Sequence, residues 1–333
     1  MVENSQVSEH MDVSIVMPTK NAGSLLDKVL SAVFSQKTDY KYEVICVDSG
    51  SSDNTLDIIA KYPVKLYKIP ASEFGHGKTR VYGASKGTGD FIVFITQDAL
   101  PATDTWLQNF IDAMKMDPGI VGGFGIHYPY PDCNIIDKRD LKKHFEGFGT
   151  ENTVFFLEDK ARYETDEVYR HYLAFFSDNN SCVRRDIFEK YPYPDVDFAE
   201  DQIWARKMIE MGYKKVYCPF APVYHSHNYD LHSYLGRYYD ENKGLYEIHQ
   251  YIGVKHWYYV LPGIIRHTLM DRAYFKTLGL TKEEYKDALR YSTRRNYARY
   301  LGAYLGGNYH KYSDKKKMRM DKRYSQQYEQ RSK

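Results

Sequence analysis

Short apolar runs alternate with helix-spaced segments across residues 13–126, and that alternation constrains the fold more than any other feature of the chain. The runs 13–18, 43–47, 64–69, 91–96 and 120–126 have strand length and end at turn residues. Within residues 22–36, Leu25, Leu26, Val29, Leu30 and Val33 recur at helical spacing. Helices are also expected over 55–61, where Asp53 is placed to cap the first turn, over 79–86 and over 103–115. Strand and helix in strict alternation predict an α/β fold, a mostly parallel sheet covered on both faces. In such sheets ligands sit beyond the carboxyl ends of the strands. Pro18, Asp48 and Asp98 all fall at such ends.

Past residue 126 the pattern loosens. Residues 127–180 read as Tyr-Pro-rich loop and charged helix, an insertion suited to an acceptor. A helix is expected over 200–211, short strands at 216–218 and 223–225, and then helices over 231–251, 256–275 and 282–305. Many of the chain's 33 tyrosines crowd this half, where they suit sugar stacking, interfacial contact or plain helix packing. The net charge of +2 hides a basic end: residues 311–333 carry nine Lys/Arg against three Asp/Glu, leaving −4 for the rest. Such a tail fits anionic headgroups or a solvated, disordered segment. No recognition helix, zinc finger or single-strand-binding signature accompanies it, so no nucleic-acid partner is expected. Cys46, Cys133, Cys182 and Cys218 lie far apart without metal-type spacing, as in a protein with reduced thiols. The polar start of the chain lacks the apolar core of a signal peptide, and the apolar stretch at 257–265 is broken by Pro262. A cytoplasmic protein is expected, peripheral at most on the inner face of the membrane.

The chemistry-bearing residues cluster at the strand ends. Pro18-Thr19-Lys20-Asn21 forms the first such turn, and Asp48-Ser49-Gly50-Ser51-Ser52-Asp53 the second. Asp48 is placed to accept the imide N–H of uracil or thymine. Glu73-Phe74-Gly75-His76-Gly77-Lys78-Thr79-Arg80 is no P-loop, since Ser72 stands where the first glycine belongs. It is still a glycine-flexed loop with His76, Lys78 and Arg80 at a helix start, a setting for an anionic ligand. Gln97-Asp98 ends the fourth strand. Oxygen ligands suit a hard divalent cation such as Mg or Mn, and beside a diphosphate one or two protein ligands suffice. His225 or His227 would add an imidazole. Glu200-Asp201 opens a helix, where the dipole favours acids. Asp201, ordinarily ionised above pKa ~3.9, becomes a general base only in a dry pocket. Trp204, one turn on, is placed as an apolar wall for a sugar or as core.

In their order these elements resemble glycosyltransferase family 2, with its GT-A nucleotide-diphospho-sugar fold, over residues 13–250. The resemblance implies that Pro18, Thr19 and Asp48 bind the nucleoside and that Arg80 follows the third strand at the donor. It places the Asp-X-Asp metal motif on Thr96-Gln97-Asp98, of which only the last acid remains, and a completing histidine on His225. It makes Asp201, beside Glu200, the catalytic base. Phe74-Gly75-His76-Gly77-Lys78-Thr79-Arg80, Thr96-Gln97-Asp98-Ala99, Ser177-Asp178-Asn179-Asn180-Ser181 and His225-Ser226-His227-Asn228-Tyr229 are similar to the bacterial rhamnosyltransferases of that family. The implied donor is dTDP-β-L-rhamnose, with Asn179 in the sugar or acceptor pocket. The implied acceptor is a lipid-linked cell-surface glycan.

The resulting division is a disordered 1–12 and a catalytic domain over 13–250, with nucleotide-binding and acceptor halves at 13–126 and 127–250. A helical extension over 251–310 and a basic tail over 311–333 follow. The C-terminal region suits membrane contact or a homodimer. Three other readings stand beside this one: a family 2 enzyme using UDP-glucose, UDP-galactose or UDP-N-acetylglucosamine, a sugar-phosphate nucleotidyltransferase, and a catalytically silent sugar-nucleotide-binding protein.

Overall fold

The computed structural model describes residues 10–196 and 198–328. Most of the expected disordered start, and residues 329–333 of the basic tail, lie outside them. The strands are β1 (Val13–Thr19), β2 (Tyr42–Asp48), β3 (Val64–Lys68), β4 (Phe91–Ile95), β5 (Leu100–Pro101), β6 (Ile120–Tyr128), β7 (Thr153–Phe155), β8 (Asn180–Arg184) and β9 (Lys214–Tyr224). The helices in the same stretch are α1 (Leu25–Phe34), α2 (Thr55–Ile59), α3 (His76–Ala84), α4 (Trp106–Met114), α5 (Ile135–Glu146), α6 (Lys160–Thr165), α7 (Glu167–Ala174), α8 (Arg185–Lys190) and α9 (Glu200–Glu210). After them come α10 (Leu231–His249), α11 (Val260–Phe275), α12 (Lys282–Gly307) and α13 (Asp314–Tyr324).

The chain forms two compact units. The first comprises the described residues up to Tyr128 together with His144–Val196 and Glu200–His225. The second gathers Pro129–Lys143, residues 198–199 and the described chain from Ser226 onward. The break thus falls at 225, ahead of the expected 250, and the segment after Tyr128 belongs with the C-terminal helices.

The first unit is one sheet in the order β3-β2-β1-β4-β8-β6-β9-β5, with β7 on β9. β1, β2, β3 and β4 pair in parallel, as the alternation predicts. β1 and β2 run in register from Val13↔Tyr42 to Thr19↔Asp48, so both strands deliver their tips to the same edge. Ile15, Val16, Met17, Val44, Ile45 and Cys46 are all buried, the continuous apolar run of a strand covered on both faces. On α1, Leu26, Val29, Leu30 and Val33 are fully buried, and each contributes about 1.5–3 kcal/mol by leaving water. β8 was not foreseen. It runs antiparallel between β4 and β6 and makes this side of the sheet mixed. The two short strands expected near 216–225 are one strand, β9.

The second unit is helical, and four of its tyrosines are used on two partly buried acids. Tyr234 and Tyr291 donate their hydroxyls to Asp137, while Tyr239 and Tyr309 donate to Asp321. The basic tail is not loose through residue 328: it forms α13, with Met320 buried and Asp321 held by those two tyrosines and Lys243. All four cysteines are buried and free. Among the described residues no helix is long and apolar enough to cross a membrane.

Candidate active site

The site is built at the carboxyl ends of β1, β2 and β4, where two loops interlock. Ala22 N–H donates to Thr55 Oγ1 (2.8 Å) and Gly23 N–H to Asp53 Oδ2 (3.0 Å). Asn21 takes a left-handed φ of 46°, its Oδ1 accepting from Ser52 N–H at 2.8 Å. Gln97, past the end of β4, accepts from Lys20 N–H (2.8 Å) and donates to Lys20 C=O (3.1 Å). Its amide therefore ties two strand tips together. Pro18 sits in the β1–β2 ladder opposite Val47, next to the buried Thr19.

Asp48 is occupied differently from the sequence expectation. One oxygen accepts from Gly50 and Ser51 N–H (3.0 Å each), and the other from the Ser51 and Thr19 hydroxyls. A carboxylate has about four acceptor positions, so its own loop fills them. The expected direct acceptance of a base imide is not what this geometry offers. Asp48 instead fixes the loop.

Arg80 is likewise turned inward. Gly77 lets α3 begin against α9: a Cβ there would lie 2.8 Å from Pro194 O and 3.2 Å from Glu200 Cβ. One turn further on, Arg80 is 4% exposed. Its Nη1 donates to Glu200 Oε1 at 2.9 Å, and its Nε lies 3.5 Å from Asp178 Oδ2. The guanidinium expected to face a diphosphate holds two carboxylates together instead. His76 and Lys78 stay at the helix start, Lys78 exposed and the His76 ring edge-on to Phe74 at 5.1 Å.

Asp178 is the residue that sequence reasoning underweighted. It is 3% exposed, and its Oδ1 accepts from Tyr193 Oη and Ser181 Oγ, both at 2.7 Å. Its backbone N–H donates to Asp201 Oδ2 at 3.1 Å. Three acids thus surround one arginine. Burial raises the Asp201 pKa well above the usual carboxylate value, and the charges of Asp178 and Glu200 add to it. Burial likewise lifts Asp178 and Glu200, against the pull of Arg80. For Arg80 burial works against the charged form, and the surrounding acids outweigh it and hold the proton more firmly than usual.

The next residue reaches the other acidic centre. Asn179 Nδ2 lies 3.5 Å from His225 Nδ1, and His225 Nε2 lies 3.6 Å from Asp98 Oδ1. A carboxylate and an imidazole side by side are a donor pair that a divalent cation accepts when a diphosphate fills the remaining positions. His227, the alternative to His225, belongs to the second unit. Behind His225 stands His127, whose ring burial keeps neutral well below its ordinary pKa, helped by the neighbouring His225 and His144.

Asn180 anchors this turn. Its amide accepts from Trp106 Nε1 (2.9 Å) and donates to Ala221 O (2.8 Å). Trp204 is 2% exposed, its Nε1 bonded to Tyr191 O and its ring packed on Phe176, Phe188 and Tyr193. It is core that seats α9, not the wall of a sugar pocket.

Residues 14–192 match the model of glycosyl transferase family 2, more than half of the chain. The chain belongs to glycosyl transferase family 2. Its fold is GT-A, and it is a glycosyltransferase. O-antigen chain rhamnosyltransferase RfbN of Salmonella typhimurium is 34% identical over 234 residues, spanning 69% of this chain and 71% of that protein. O-antigen chain rhamnosyltransferase WbaN of Salmonella anatum is 32% identical over 233 residues, spanning 68% and 70%. The structure of S. aureus TarS 1-349 in complex with UDP-GlcNAc superposes with a TM-score of 0.51 at 16% identity, covering 89% of this chain and 92% of that one. At that identity the superposition speaks for the fold alone.

Proposed function

We propose that this glycosyltransferase moves L-rhamnose from dTDP-β-L-rhamnose to a hydroxyl of a lipid-linked bacterial cell-surface glycan, with inversion at the anomeric carbon. Likeness to two O-antigen chain rhamnosyltransferases supports the sugar. The observation that carries the mechanism is the unbroken line Asp98–His225–Asn179–Asp178–Asp201, in which consecutive residues link the two acidic centres.

In this reading Asp201 accepts the proton of the acceptor hydroxyl. As it does so, the acceptor oxygen bonds to the anomeric carbon and the bond from that carbon to the diphosphate breaks. dTDP leaves with the electron pair. The Asp201 carboxyl needs no covalent intermediate, and its raised pKa makes it a better base than an exposed aspartate. Arg80, Asp178 and Glu200 position it. The interlocked loops at Asn21 and Asp53, pinned by Gln97, frame the nucleoside, and His76 and Lys78 meet the diphosphate at the α3 start. Asp98 and His225 would hold a Mg or Mn ion, which when bound offsets the charge of the departing diphosphate. The enzyme would work at the inner face of the membrane, where a lipid-linked acceptor is presented.

A donor panel tests the assignment. Incubated with dTDP-rhamnose, UDP-glucose, UDP-galactose and UDP-N-acetylglucosamine, the protein is expected to release nucleoside diphosphate fastest from dTDP-rhamnose. Faster turnover of a UDP-sugar would reassign the donor, and no turnover of any would favour a silent sugar-nucleotide-binding protein.

A further inference from the structure

Two segments that the sequence offers as membrane contacts are used inside the second unit. α12 is a packing helix, with Ser292, Asn296 and Ala298 buried. It meets α10 so closely that a Cβ at Gly306 would lie 2.2 Å from Tyr239 O. α13 is fastened through Asp321, as described above. The segment that stays open is α11 with the 3₁₀ turn Trp257–Tyr259 before it.

Its outer face is apolar and aromatic. Trp257 is 72% exposed, Leu261 64%, Ile265 51% and Leu269 56%, and Tyr258, Tyr259 and Met270 are exposed beside them. Leu261, Ile265 and Leu269 follow one another at four-residue spacing and so form a single stripe. The charge on this stretch has one sign. Between residues 252 and 281 the sole acid is Asp271, which is buried, paired with Arg139 at 2.8 Å and bonded by Ser292 and Asn296. Lys255, Arg266, Arg272 and Lys276 are all exposed.

We propose that this face is a docking surface for a bilayer carrying anionic headgroups. An amphipathic helix lying in the interface plane sinks its apolar stripe among the acyl chains and leaves cations at headgroup level. Trp and Tyr are the residues that settle at that depth. Each cation near an anionic leaflet adds to the attraction. A symmetric contact with a second copy would set the same cations against their own kind, so charge favours lipid over self-association. The inference does not depend on which sugar the enzyme transfers.

The test is flotation of the full chain with phosphatidylcholine vesicles, with and without added phosphatidylglycerol. Binding is expected to be at least about tenfold tighter to the anionic vesicles. The combined variant Trp257→Ala, Leu261→Ser, Ile265→Ser, Leu269→Ser should lose at least about tenfold of that binding. Its circular dichroism and its rate of donor hydrolysis should be unchanged. Equal flotation of variant and parent, or no flotation of the parent on either vesicle, would overturn the proposal. So would a parent that sediments as a dimer and a variant that sediments as a monomer while both float alike. Loss of donor hydrolysis in the parent would instead count against the proposed function and leave the docking result standing.

Discussion

At the scale of single residues, the site turns on a surplus of negative charge. Asp178, Glu200 and Asp201 share one guanidinium, so the protein keeps a proton on this group at pH values where a free carboxyl has lost it. The sign for stability follows from proton counting. With a raised folded-state pKa, the folded chain binds more protons than the unfolded one, so the stability from Asp201 is full below the unfolded value near ~3.9 and is lost as pH rises through the folded pKa. Asp201→Asn removes that loss, because the amide oxygen still accepts from Asp178 N–H. The variant is expected to melt at a higher temperature than the parent at neutral pH, with the gap closing toward pH 4, as read by calorimetry across a pH series. A variant no more stable than the parent at neutral pH would mean that Asp201 is not strained there. Arg80→Met leaves two buried acids without their cation. It is expected to cost about 3–5 kcal/mol in urea unfolding at neutral pH, and less in acid, where those carboxyls are protonated. A loss that stayed constant with pH would point to packing rather than charge.

At the scale of elements, the strand tips were legible and the support behind them was not. Pro18, Asp48, Asp98 and Glu200-Asp201 stand where regular strands end or a helix begins, and hydrophobic periodicity reveals such positions. β8 escaped because Asn180-Ser181-Cys182-Val183-Arg184 opens on polar residues, and the burial of Asn180 is compensated by Trp106 and Ala221, both far away in sequence. Trp204 was left open between wall and core, because an aromatic near an acidic pair looks the same in sequence whether it faces ligand or core. The inward turn of Arg80 depends on a close approach of α3 and α9 that only Gly77 records. Gly77→Ala pushes a methyl against Pro194 O and Glu200. It is expected to destabilise the fold by about 1–3 kcal/mol and to lower turnover as Glu200 and Arg80 shift. An unchanged unfolding midpoint and rate would show that the helices have slack at this contact.

At the scale of the whole molecule, the chain is two compact units whose division the sequence placed too late, because α10 continues a helical pattern with no change of composition at residue 225. The first unit contains the interlocked loops, the Asp98–His225 pair and the Asp201 cluster. We propose separate tasks for these two acidic centres, donor capture and acceptor deprotonation. Calorimetric titration of dTDP with Mn²⁺ present, run beside single-turnover transfer on Asp98→Ala and Asp201→Asn, separates the tasks. Asp201→Asn should bind dTDP as tightly as the parent and turn over about 10²–10⁴-fold more slowly, whereas Asp98→Ala should lose the Mn²⁺-dependent part of dTDP binding. Near-parental turnover by Asp201→Asn, or dTDP affinity untouched by Asp98→Ala, would contradict it.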